Sequence, residues 1–93
     1  MKHAGSAALD ELEDLISKIR ARSEFREPRR GVFYLKGRAC LHFHEDASGL
    51  FADLREGEKW KRFPVSNAAQ RNALISAVGR YAGGPKSKPK RRG

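Results

Sequence analysis

The chain reads as an α+β protein: a two-layer sandwich ordered helix, four-stranded antiparallel meander, helix, with a disordered basic tail behind it. Three observations predict this. Apolar residues recur at helical spacing near both ends of residues 1–84. Between those stretches lie four short runs rich in aromatic and aliphatic residues, parted by turn-forming residues. Residues 86–93 then hold no large apolar side chain that folding could bury.

The first helix is expected over 7–22. Leu9, Leu12, Ile16 and Ile19 share one helical face, and Ala8 and Leu15 widen it. Ser6 is placed to cap it, since its hydroxyl can accept from a free N–H of the first turn. Acids crowd its first half, and Lys18, Arg20 and Arg22 its second, the order that suits the helix dipole. Asp14 and Lys18 have the spacing of a helical ion pair. Residues 23–30 break the period, because Pro28 disfavours helical geometry at Glu27.

Strands are expected at about 31–36, 38–44, 49–55 and 59–64, with turns at Gly37, at Asp46–Gly49 and at Glu56–Glu58. Pro64 lacks an N–H and suits a strand end. The first strand has two readings. A three-residue loop at Gly37 buries Phe33 and Leu35, whereas a two-residue loop buries Val32 and Tyr34. The second helix is expected over 68–82, with Asn67 and Gln70 at capping-box spacing and Leu74, Ala77, Val78 and Tyr81 inward. Gly83, Gly84 and Pro85 should stop it.

Composition narrows the function classes. Ninety-three residues make one domain, taken as 1–84, too small to enclose a large ligand cavity. Its apolar runs are too short to span a membrane, and its acidic first helix stands where a secretory signal would need an apolar stretch, so a cytoplasmic protein is expected. Cys40 is the one cysteine, which excludes an intrachain disulfide and cysteine-rich zinc clusters. The net charge is +9, of which Lys86, Lys88, Lys90, Arg91 and Arg92 supply +5. Residues 1–85 keep 15 basic against 11 acidic side chains, so the body is only mildly basic at +4. The tail can bind any polyanion by releasing its counterions, or it can be a solvated terminus.

Alternation assigns the sheet's two faces. Ala39, Leu41 and Phe43 belong to the core, as do Leu50, Ala52, Leu54 and Phe63. The opposite, open face then carries Arg38, Cys40, His42, His44, Phe51, Asp53, Arg55, Trp60 and Arg62. Cations beside flat rings suit single-stranded RNA or DNA, through phosphates and stacked bases. The same residues, Phe51 and Trp60 above all, also describe a protein interface, including one between two copies of this chain. In a third arrangement the N-terminus, or the loop with Phe25, folds over the face and buries its rings.

Cys40-x-His42-x-His44 places three metal-capable side chains on one strand face. A complete site needs a further ligand, which Glu45, Asp46 or His3 can supply but which no spacing demands, so neither metal nor cofactor is assigned. A small basic ribonuclease would need a general acid, a base and a cation; His42 or His44 with Arg38 and Arg55 can be cast so, but nothing specifies it. No phosphate-cradling glycine loop, zinc-deaminase pattern or nucleophile motif occurs, so no catalytic residues are assigned and an enzyme is not expected.

The element order looks like a double-stranded RNA-binding domain with one strand added. In that family a Lys-Lys pair just before the second helix grips phosphates, whereas residues 63–67 here hold no lysine. The stretch His42-Phe43-His44-Glu45-Asp46, followed by Gly49-Leu50-Phe51-Ala52-Asp53-Leu54, resembles a family of small bacterial proteins with no assigned activity. That resemblance covers about residues 9–82 and implies the fold outline without a function. The sequence reading is therefore a non-enzymatic binding module, with nucleic acid as the named partner and homodimerisation as the alternative.

Overall fold

The computed structural model describes residues 2–83. The elements run β1 (Lys2–His3), α1 (Ser6–Glu11), α2 (Glu13–Arg20), β2 (Phe25–Arg29), β3 (Val32–Leu35), β4 (Arg38–Asp46), β5 (Gly49–Glu56), β6 (Lys59–Pro64) and α3 (Ala68–Gly83). The strands form one antiparallel sheet in the order β2-β3-β4-β5-β6, with β1 added beside the far half of β4. The helices pack on one face of this sheet, as the α+β reading requires. Two strands beyond the expected four are present, β1 and β2. The basic tail, with Lys86, Lys88, Lys90, Arg91 and Arg92, lies outside the described residues.

The expected first helix is two segments hinged at Leu12, whose φ of −92° and ψ of 7° depart from helical values. Hydrogen bonds still run through the hinge, from Leu12 N–H to Ala8 O and from Ile16 N–H to Leu12 O. The cap is Gly5 rather than Ser6, and no side chain serves it. The Gly5 N–H instead donates to Glu45 Oε2 at 2.6 Å, tying the helix start to β4. At α3 the capping box forms as expected: Gln70 N–H donates to Asn67 Oδ1 at 2.9 Å, and Gln70 Oε1 accepts from the Asn67 and Ser66 N–H groups.

Residues 25–29, expected only to break the helix, form the edge strand β2. Phe25 pairs with Leu35 and is buried in the core, so it does not fold over the open face. Pro28 sits where the β2–β3 register shifts between Arg26 and Arg29, an irregular edge position that tolerates a missing N–H.

The β3–β4 turn resolves the ambiguous register in an unforeseen way. Leu35 pairs with Arg38, leaving a two-residue loop of Lys36 (φ 54°) and Gly37 (φ 81°). Positive φ at both loop positions is the hairpin-type turn whose twist matches its strands. Yet Phe33 and Leu35 face the core, as the longer loop was expected to require. A bulge reconciles the two. Tyr34 pairs with Ala39 but Phe33 pairs with Leu41, so Cys40 is an extra residue in β4. The bulge reverses the alternation before it.

Three placements change as a result, the first being Ala39, which was expected in the core but pairs with Tyr34 and lies half-buried on the open side. Cys40 is not on the open face: it is fully buried in the core, with its Sγ 3.4 Å from Phe33 O. Burial pushes its thiol up to about 11, as expected of a small core hydrophobe. Arg38 shares the side of Leu35 and Phe25, and lies exposed at the end of the helix-covered side. Past the bulge the expected alternation holds. Leu41, Phe43, Ala52 and Leu54 are buried under the helices, and Phe63 stands inward opposite Ala52.

Candidate functional site

The open face of β4, β5 and β6 is built from cross-strand rows. Antiparallel pairing sets His42 opposite Asp53 and Asp53 opposite Arg62; a second row sets His44 opposite Phe51, and a third Arg55 opposite Trp60. On the other flank of β4, His3 of β1 pairs with His44. Residues directly opposite on an antiparallel pair share a face, so all of these side chains meet on one surface.

At its centre is a cluster of three imidazoles. The ring centroids of His42 and His44 are 4.7 Å apart, those of His3 and His44 4.9 Å, and those of His3 and His42 5.6 Å. His42 Nδ1 and His44 Nε2 share a hydrogen bond at 2.8 Å, so one of the two nitrogens carries the proton. One nitrogen from each of the three rings lies within 4.8 Å of the other two. His3 is exposed and His42 half-buried, while His44 is only 9% exposed although none of the described helices lies above it. Its Nδ1 is buried with no hydrogen-bond partner among the described residues.

Beside the imidazoles lies an ion pair. Arg62 grips Asp53 with two hydrogen bonds, Nε to Oδ1 at 2.8 Å and Nη2 to Oδ2 at 2.9 Å. The same Oδ2 is 3.1 Å from His44 Nε2. Asp53 is 7% exposed, a depth at which an ionised carboxylate requires such partners. The Arg62 guanidinium, acting against burial, holds the Asp53 carboxyl below its ordinary range. Burial first, then the neighbouring His44 ring, holds the His42 imidazole below its usual value and favours its neutral form.

The third part is aromatic and cationic. Trp60 is 40% exposed and is the exposed large apolar side chain among the described residues. The Arg55 guanidinium lies 4.5 Å from the centroid of its ring, and the His42 ring packs at 4.6 Å. Arg55 Nε also donates to Ala39 O at 2.9 Å, which fixes the guanidinium against the indole. Such a contact contributes about 0.5–1 kcal/mol at an exposed site, enough to orient the two side chains.

Of the residues expected on this face, His42, His44, Phe51, Arg55, Trp60 and Arg62 are brought together, and Arg38 and Cys40 are not. Among the described residues, Phe51 and Trp60 are not sealed beneath the N-terminal strand, which brings His3 to the flank. Asp53, expected on the open face, joins these residues at the centre of the site, and so does His3, which the sequence offered only as one of three possible further metal ligands. For Asp53 a signal existed, since register places it between His42 and Arg62. For His3 there was none, because a two-residue strand carries no periodicity. No protein family, curated protein or solved structure matches this chain, so neither resemblance noted above gains support.

Proposed function

We propose that the chain is a non-enzymatic binding module that receives single-stranded RNA or DNA on this open sheet face, with the basic tail adding affinity. One observation carries the reading: an exposed tryptophan with a guanidinium over its ring and an imidazole packed against it. A base needs a flat ring, and the phosphates on either side of it need fixed cations. Arg55 and the half-exposed Arg62 supply them within the same rows. Exposed Arg26 of β2, across from Tyr34 of β3, extends the basic surface toward the opposite edge. The Lys-Lys grip of double-stranded RNA-binding domains has no counterpart at residues 63–67, which favours single strands over a duplex.

The test is a salt titration of short single-stranded oligomers, RNA and DNA, against the full chain and its Trp60→Ala variant. Loss of a stacked base costs about 1–3 kcal/mol, so the variant should bind roughly 5- to 150-fold more weakly at every salt concentration. The salt slope should barely change, because phosphate contacts set that slope. Equal affinity of the two proteins would overturn the proposal and leave only the polycationic tail. If Trp60→Ala instead turns a dimer into a monomer, the face is an interface between two copies.

A further inference from the structure

His3 and His44 take no part in the proposed stacking or phosphate contacts, and the geometry of the three-imidazole cluster points elsewhere. Three neutral imidazoles hold three lone pairs, and only one close nitrogen pair can be joined by a proton, as His42 Nδ1 and His44 Nε2 are at 2.8 Å. Adding protons instead would crowd positive charge beside Arg62, which already faces the cluster through Asp53. A metal ion removes that conflict by accepting every lone pair at once.

The distances suit such an ion. Zinc–nitrogen bonds of about 2.0–2.1 Å in a tetrahedron set neighbouring ligand atoms roughly 3.3 Å apart. The His42–His44 nitrogen pair need open only slightly to reach that spacing. His3, whose ligand atom lies within 4.8 Å of the others, has the exposure to swing inward. His42 and His44 stand two residues apart on the straight part of β4 beyond the bulge, so the sheet presents both rings in advance. Asp53 Oδ2, 3.1 Å from His44 Nε2, brings a carboxylate to the same edge, its charge shared with Arg62.

We propose that His3, His42 and His44 bind one divalent transition-metal ion of the zinc class, which clasps the N-terminal strand to β4. Imidazole nitrogen selects zinc, copper or nickel over calcium and magnesium, which demand oxygen ligands. Three protein ligands leave a fourth position on the exposed side for water or an anion. Cys40, the metal-capable neighbour on the same strand, takes no part, because the bulge turns it into the core. The clasp matters because β1 is two residues long and is otherwise held by its pairing with β4, the Ala4 N–H bond to Phe43 O at 3.0 Å and the Gly5–Glu45 bond. This inference rests on the histidines and not on the nucleic-acid reading.

The experiment is calorimetric titration of the full chain with zinc chloride, and with magnesium and calcium as controls. One zinc per chain is expected, with no heat of binding from the controls. His3→Ala and His42→Ala should each weaken zinc binding by at least about 10-fold, a removed ligand costing no less than a lost outer partner. These two positions are exposed or half-buried and carry the test, since His44→Ala would also open a buried site. As a second readout, hydrogen exchange at the Ala4 N–H should slow about 100-fold at free zinc 100 times its dissociation constant. Absence of saturable zinc binding, or zinc binding that survives His42→Ala unchanged, overturns the proposal. So does saturation by zinc that leaves Ala4 exchange unaltered, because the clasp would then be missing.

Discussion

The two faces of this sheet bury side chains to similar depth by opposite means. On the covered face Phe33, Leu41, Phe43, Ala52 and Leu54 lie beneath the helices, and none of them needs a directed partner. On the open face His44 and Asp53 are almost as deep with none of the described helices above them, and each is held by named polar neighbours. The same alternation along β4 and β5 produces both sets. Apolar burial is non-directional, so any helix of the right face can cover it. Polar burial needs partners at hydrogen-bond distance, so it depends on register across three strands and on what the N-terminus brings.

The comparison can be broken most severely on the covered side. Phe33→Ala should cost about 3–5 kcal/mol in chemical denaturation, because a fully buried ring leaves a cavity behind. On the open side, Arg62→Ala should cost less, roughly 1–3 kcal/mol, since Arg62 itself is half exposed while Asp53 loses its main partner. That second variant also carries a pH signature. The Asp53 carboxyl sits below its ordinary value of 3.8 when folded, so its contribution to stability is present above that pH and is lost as the pH falls below it. In Arg62→Ala the depression is relieved, and an NMR titration of Asp53 should show its carboxyl titrating at higher pH. The smallest effect sharpens the account of register: Lys36→Asn in the left-handed turn position should stabilise by up to roughly 1 kcal/mol, because asparagine tolerates that backbone better than lysine does. A loss of stability there would mean that the two-residue turn does not set the β3–β4 pairing.

The covered face was legible in the sequence for the same reason that it is robust. Period-two and period-3.6 patterns report apolar burial directly, and they located α3, its Asn67–Gln70 capping box and the inward residues of β5 and β6. They failed where the backbone departs from its period. One extra residue at Cys40 turned Cys40 and Arg38 away from the face that strict alternation had assigned them. The edge strand β2, interrupted by Pro28, read as a linker. The open face was only half legible: β4 to β6 supplied His42, His44, Asp53, Trp60 and Arg62 as expected, but not the contacts that join them. Asp53 acts through a diagonal contact to His44, and His3 arrives from a strand too short to leave a pattern. Contacts of that kind are set by three-dimensional placement and not by spacing along the chain.

The central claim is that the open face is the binding face, and Trp60, the chain's one tryptophan, reports on it directly. Its emission should be followed while a single-stranded oligomer is titrated into the full chain, with the bound fraction measured in parallel by anisotropy of a labelled oligomer. A base stacking on the indole predicts quenching that saturates together with binding. Binding that saturates while Trp60 emission stays constant would contradict the account, because the ligand would then be held without touching the face.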